Sequence, residues 1–449
     1  MSLEQPMNTL RHDAKSIYLA SLAAVDVREA VRAHLACGQQ ALVCAGLSIP
    51  YEEFDELIVV AAGKAALPMY EAAHAVLRGL PDRIVLRSLV ITPTISSAQG
   101  AQILFGSHPI PSQDSLAAAE AVVRLLETAT RRSGVLFLIS GGASAMMEKP
   151  IDASISIEDI APFYETLVAS GLNITQMNVL RKYVSAVKGG RLAGFARAGR
   201  FKGSLLVSDV PGQQADVIGS GPTVPDSSTP AEFMELLSTL GARVHVPDSI
   251  TRYAHSDACQ DTLKAGDDVF ADSSWNVILS SEHLRDAASA AAAAHGYFPV
   301  VDTTCDDMEF REAAQALLHR ARSLADGRAR CCLISIGEVS VALPPQPGIG
   351  GRNQHFVLEC VRRLAVFPAP IALLSAGTDG IDGNSPAAGA IADNLTLERA
   401  EGMGMDPDTF LRDFNATAFF SALGDLIVTG PTGNNLRDLC LVLLAPDGE

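Results

Sequence analysis

Leu57-Ile-Val-Val-Ala-Ala-Gly-Lys64 decides how the fold is read: six apolar residues, a glycine and a lysine, then a helical pattern over residues 65–80. A short unbroken apolar run bounded by turn signals reads as a strand buried on both faces. The same design recurs at residues 88–91, 102–105, 135–139 and 204–207, with a helix over 115–128 between them. Strands alternating with helices predict an α/β fold: a mostly parallel, Rossmann-like sheet with helices on both faces, three layers in all. Residues 14–36 show helical periodicity ahead of this pattern. The second half repeats the βα logic at residues 276–279, 284–294, 330–335, 371–375, 426–429 and 439–444, while 387–391 reads only as a small-residue segment. Regular elements thin out near residue 245, which places the expected domains at 1–245 and 246–449.

Composition narrows the function. The chain has 449 residues, 48% of them hydrophobic but only 5% aromatic, and a formal net charge of −17. That length allows large buried cores. The negative balance argues against a nucleic-acid or anionic-membrane partner, since phosphate backbones demand basic footprints. An anionic small molecule stays open, because a local cluster of cations and helix N-termini suffices for it. The eight cysteines include no C-x-x-C pair, and residues 1–7 lack the basic-then-apolar order of a secretory leader, so the expectation is a reduced, cytoplasmic protein. No apolar run reaches membrane-spanning length. A homodimer is compatible with the sequence, which does not fix the oligomeric state.

Candidate chemistry sits where apolar runs end. Lys64 at a helix start offers a mobile charge to a phosphate or carboxylate, against the plainer reading of a solvated first-turn lysine. It is no Walker A motif, since Ala65 stands where a serine or threonine would bind magnesium. Ser140-Gly-Gly-Ala-Ser144 reads as a ligand loop presenting Ser140, Gly141, Gly142 and Ser144; a nucleophile elbow is the weaker alternative and a tight turn the bland one. Arg181, Lys182, Lys188 and Arg191 form either an anion site or a solvated basic face. Asp209, at a strand's C-terminal end, suits a metal or a hydroxyl proton, or simply a turn. Glu338, then Gly348-Ile-Gly-Gly-Arg-Asn-Gln354, places Arg352 and Asn353 at the mouth of a helix, and the guanidinium could fork a carboxylate or phosphate. Ser375-Ala-Gly-Thr-Asp-Gly-Ile-Asp-Gly383 offers Thr378, Asp379 and Asp382, and Val428-Thr-Gly-Pro-Thr-Gly433 offers Thr429, Gly430, Thr432 and Gly433. No G-x-G-x-x-G dinucleotide fingerprint is present.

In order, these segments, together with His108-Pro-Ile-Pro111 and Leu423-Gly-Asp425, resemble the glycerate 2-kinase family with a C-terminal MOFRL domain, whose members are often labelled hydroxypyruvate reductase. The match runs from about residue 60 to 440. The resemblance implies two α/β domains enclosing an active-site cleft, and ATP- and Mg²⁺-dependent phosphorylation of D-glycerate to 2-phosphoglycerate. It implies that Lys64 and Arg352 are central and that Asp209 lies in the same cleft. On this basis Lys64 neutralises phosphate or the glycerate carboxylate, and Arg352 clamps the carboxylate or the transferring group. Asp209 is magnesium ligand or proton acceptor, with Asp379 and Asp382 as further metal candidates. Ala143, Val339-Ser340, Gln213-Gln214 and Pro386 depart from the family pattern, which leaves room for a related small hydroxyacid as substrate. An NAD(P)H-dependent hydroxypyruvate reductase and a non-catalytic or hydrolytic hydroxyacid binder are the competing readings.

Overall fold

The computed structural model describes residues 4–210, 214–325 and 330–446. Residues 1–3, and Gly212 and Gln213 of the loop after Asp209, lie outside them. The chain separates into two compact units, one formed by Val27–Ser280 and the other by Met1–Asp26 with Ser281–Glu449. These limits differ from the division at 245/246, for two physical reasons that each unit makes plain.

The Val27–Ser280 unit opens with a small antiparallel sheet, β1 (Leu35–Cys37), β2 (Ala41–Cys44) and β3 (Leu47–Pro50). The residues expected to be one helix over 14–36 therefore break into helices Glu4–Ala24 and Val27–His34, then β1. The main sheet comprises β4 (Glu56–Ala62), β5 (Val85–Thr92), β6 (Gln102–Phe105), β7 (Ser133–Ser140), β8 (Phe201–Val207) and β9 (Ser273–Leu279). Its order is β6-β5-β4-β7-β8-β9 and every pairing is parallel, as expected from the alternation. Ile58, Val60 and Ala62 share one face of β4 and join Phe137, Ile139 and helix Gln113–Leu126 in one core. Helix Ala66–Leu77 packs against β4, β5 and β7 outside that core, completing three layers. Helices Ile157–Ala169, Ile174–Tyr183 and Pro230–Gly241 build a satellite core around Phe163, Leu180 and Phe233. Because β9 extends the parallel sheet, the unit runs 35 residues beyond 245, to Ser280.

The other unit holds β10 (Phe298–Val301), β11 (Cys331–Gly337), β12 (Ile371–Gly377), β13 (Gly389–Asp393), β14 (Leu426–Ile427) and β15 (Asp438–Leu444), in the order β10-β11-β15-β12-β13-β14. Only β10 and β11 pair in parallel; all other pairings are antiparallel. A plain repeat of the βα logic is thus corrected here. β11, helix Arg352–Ala365 and β12 do form a βαβ unit, but β15 inserts between its strands, and β12 returns to β13 without a helix. The small-residue segment at 387–391 contains a wholly buried strand: a Cβ at Gly389 would lie 1.9 Å from the Ser375 carbonyl oxygen. Helix Glu4–Ala24 belongs to this unit. The Tyr18 hydroxyl donates to the Gly377 carbonyl (2.7 Å), and Arg11 pairs with Asp393 (2.9 Å) and with Asp425, itself held by Arg399 (2.6 Å). No helix among the described residues is long and apolar enough to cross a membrane.

Candidate active site

In the parallel sheet the chain runs from β4 outward to β5 and β6, then crosses back to β7. The direction reverses between β4 and β7, and ligands of open α/β sheets sit at the strand ends beside such a reversal. Gly63-Lys64 and Ser140–Gly142 occupy that place. The Lys64 amide donates to Gly141 O (2.9 Å) and the Ala65 amide to Ser140 Oγ (3.0 Å), tying the two loops together. Gly63 has φ +122°, and a Cβ there would lie 2.3 Å from Ser140 Oγ, so only glycine permits the approach.

The next two glycines face different chemistry. A Cβ on Gly141 would meet Asp209 Oδ2 at 1.9 Å, whereas one on Gly142 would meet His108 Cδ2 at 3.1 Å and Lys64 Cγ at 3.2 Å. The loop therefore has a carboxylate on one side and a cation with an imidazole on the other. Lys64 is exposed, and among the described residues no carboxylate pairs with its ammonium. Burial, aided by the charges of Lys64 and Arg181, pushes the His108 imidazole down to about 4, so it is neutral at pH 7. Ser144 shares a hydrogen bond with Ser220 (2.9 Å), which in turn donates to Asn178 (2.9 Å).

The basic run resolves residue by residue. Lys188 is 1% exposed and donates to Glu148 (2.5 Å), which also accepts from the Tyr164 hydroxyl (2.5 Å). Lys182 pairs with Asp226 and Asp216, and Arg191 donates to the carbonyls of Lys182 (2.7 Å), Gln260 and Asp261. These three hold the fold together, so Lys188 is no free anion ligand. Arg181 differs: it lies 4.6 Å over the Tyr164 ring, and its buried Nε has no partner among the described residues. Sequence reasoning missed Glu148 and Tyr164, whose only signal was an acid set among apolar residues and proline.

In the unit containing β11, β12 and β15, Arg352 begins the helix Arg352–Ala365. Its Nε and Nη2 donate to Asp438 (2.5 and 3.1 Å) and its Nη1 to Glu338 (2.7 Å). Hence two of a guanidinium's five N–H groups remain for a ligand. Asp382 does not project as a metal ligand: its oxygens accept from the Asn353 amide (3.0 Å), the Gln354 amide (2.8 Å) and Gln354 Nε2 (3.0 Å), capping that helix. Burial outweighs these donors and raises the Asp382 carboxyl to about 6. Asn353 Oδ1 is likewise engaged, accepting from the Ser375 hydroxyl (2.6 Å). Thr378 Oγ1 donates to Arg437 O (2.6 Å), Thr432 Oγ1 to Thr378 O (2.6 Å), and Asp379 Oδ1 accepts from the Ile381 amide (3.0 Å). The Thr429–Gly433 turn packs on this loop so closely that a Cβ on Gly380 would lie 2.0 Å from Gly430 O. Among the family departures, Pro386 is exposed and Ala143 is buried beside Gly219.

Two family models match the chain: Domain of unknown function (DUF4147) over residues 13–255 and the MOFRL family over residues 331–438. A D-glycerate 2-kinase of Thermotoga maritima is 33% identical over 405 residues, covering 88% of this chain and 93% of the relative. The chain belongs to the glycerate 2-kinase family. The resemblance carried by the motifs is thereby borne out. Within the family, a relative from Agrobacterium vitis that bears the name hydroxypyruvate reductase is 34% identical over 394 residues, 86% of this chain and 99% of its own. The crystal structure of a glycerate kinase from Thermotoga maritima superposes with a TM-score of 0.80 at 31% identity, over 98% of this chain and all of that one.

Among the described residues no three His, Cys, Asp or Glu side chains gather to hold a metal ion. A magnesium ion that arrives with a nucleotide does not need such a cage, because it takes one or two carboxylates plus phosphate oxygens. Asp209, beside the Gly141 backbone, fits that requirement.

Proposed function

We propose that this protein is an ATP-dependent glycerate 2-kinase that phosphorylates the C2 hydroxyl of D-glycerate to give 2-phosphoglycerate. One observation carries the reading: a glycine loop at the β4/β7 reversal with Lys64, which no carboxylate among the described residues pairs, on one side and Asp209 on the other. Phosphoryl transfer asks a protein for positioning and charge neutralisation more than for covalent work. Lys64, backed by the N-terminus of helix Ala66–Leu77, neutralises oxygens of the transferring phosphoryl group. Asp209 takes the C2 hydroxyl proton or holds the magnesium that accompanies ATP, which would supply further charge neutralisation when bound. The hydroxyl oxygen then forms its bond to the γ-phosphorus as the bond to ADP breaks. In the other unit, Arg352, its plane fixed by Asp438 and Glu338, keeps two N–H groups with which to bind an anion. Ser140, Gly141, Gly142 and Ser144 line the ligand as a loop in the Val27–Ser280 unit, and Thr378, Asp379, Thr429, Gly430, Thr432 and Gly433 are the candidate ligand loops of the other unit.

A coupled assay tests this. ADP release that requires both D-glycerate and Mg²⁺, with 2-phosphoglycerate identified by phosphorus NMR, is the expected result. Glycerate-independent ATP hydrolysis, or the 3-phosphate isomer as product, would overturn it. NAD(P)H oxidation with hydroxypyruvate and no ADP release would favour the reductase named in the Agrobacterium relative.

A further inference from the structure

We propose that Arg181 reads the carboxylate of the acceptor, making the site selective for 2-hydroxy acids over uncharged polyols. This rests on the kinase reading and deepens it by assigning the substrate's charge to one side chain. Of the four cations between residues 181 and 191, three are committed to the fold: Lys182 to Asp226 and Asp216, Lys188 to Glu148, and Arg191 to backbone carbonyls. Arg181 alone has neither a carboxylate nor a carbonyl hydrogen-bonded to it among the described residues, although it is only 8% exposed. A buried guanidinium with an unpartnered Nε is costly to maintain, and a ligand anion would offset that cost.

The surroundings aim this group at the glycine loop. Its guanidinium lies over Tyr164, whose hydroxyl is fixed by Glu148, and Asn178, three residues earlier on the same helix, reaches Ser144 of the loop through Ser220. Its charge is felt by His108, the side chain that a Cβ on Gly142 would touch. A planar guanidinium matches a carboxylate with two parallel N–H···O bonds. Arg352, to which the family resemblance offered this task alongside Lys64, already spends its Nε–Nη2 edge on Asp438. Asp209 lies on the opposite side of the loop, through Gly141. A carboxylate drawn toward Arg181 leaves the adjacent C2 hydroxyl free to turn toward Asp209. A glycerol molecule has nothing to pair with the buried charge, and sites built around a polar partner reject ligands that lack it.

Calorimetric titration of the full chain with D-glycerate and with glycerol, alongside the non-hydrolysable analogue of ATP, separates the possibilities. Wild type should bind D-glycerate and not glycerol. Arg181→Met, which keeps bulk over Tyr164, should weaken D-glycerate binding about 100-fold and leave nucleotide binding within about twofold. Arg181→Lys should fall between them, with KM for glycerate raised more than kcat is lowered. Unchanged glycerate affinity in Arg181→Met, or equal losses for glycerate and nucleotide, overturns the proposal. Should Arg181→Met unfold, Arg181→Lys decides: a KM for glycerate equal to wild type overturns it, and a raised KM with unchanged KM for ATP upholds it. Wild-type glycerate binding without any ADP release would instead sink the kinase reading while leaving the carboxylate seat intact.

Discussion

The two sheets end in opposite electrostatic states. Lys64, at the C-terminal end of β4, and Arg181, on the helix Ile174–Tyr183, stand without a carboxylate among the described residues. Around β11, β12 and β15, the arginines are wired shut: Arg352 on Asp438 and Glu338, Arg437 on Asp306 (2.5 Å). Both arrangements concentrate cations, and both are read identically from sequence as glycine loops with basic residues. The first is a charge imbalance that an anionic ligand corrects. The second is a balanced framework whose members already stabilise one another. Removing a cation from the first should therefore cost function, and removing one from the second should cost function and stability together.

The largest effect breaks or sharpens that contrast directly. Lys64→Ala should lower kcat/KM for glycerate by about 1,000-fold, the scale of a lost charge stabiliser, with an unchanged urea midpoint. Arg352→Ala should lose activity comparably but also destabilise the fold by about 3 kcal/mol, because Asp438 would be left buried without its partner. Equal urea midpoints for the two variants would abolish the distinction. Gly141→Ala comes next. Its methyl would collide with Asp209, so kcat should drop about 100-fold, the expected result of a displaced catalytic group. Wild-type kinetics there would detach Asp209 from the chemistry.

A third test concerns the wired side alone. The folded-state pKa of Asp382, about 6, lies above the ordinary 3.8, chiefly through burial. A raised carboxyl contributes stability that is complete below about pH 4 and is lost as pH rises through about 6. Wild type should thus lose about 3 kcal/mol relative to Asp382→Asn between pH 4 and 7, read from urea curves across that range. A gap that stays constant with pH means Asp382 titrates normally. The smallest effect is Tyr18→Phe, expected to cost about 1 kcal/mol for its hydrogen bond to Gly377 O. No change would mean that helix Glu4–Ala24 is only loosely held.

Local pattern made much of this legible. Apolar runs located β4, β7, β8 and β12 to within two or three residues, since a strand buried on both faces has no polar interruption. The Lys64 and Ser140–Gly142 loops were legible for the same reason, lying directly at the ends of those runs. What could not be read depended on partners distant in sequence. Lys188 looked like an anion ligand until Glu148, 40 residues earlier, took its charge. Asp382 looked like a metal ligand, yet it caps the helix that begins at Arg352, accepting from the Asn353 amide 29 residues upstream. The insertion of β15 between β11 and β12 left no local trace, because strand direction is set by the connections and not by composition.

The position of β15 also bears on how the chain is made. It follows every other described strand in sequence yet lies inside its sheet, and helix Glu4–Ala24, synthesised long before it, packs against it. On the ribosome, Val27–Ser280 can close its parallel sheet as soon as β9 emerges. The opening helix must wait, its apolar face uncovered, until β15 follows. From Ala24 to Leu444, at ~5–20 residues per second, that delay is roughly 20–80 s. During it, the nascent chain presents Leu10, Ile17 and Tyr18, all buried in the finished protein, to whatever chaperones attend translation.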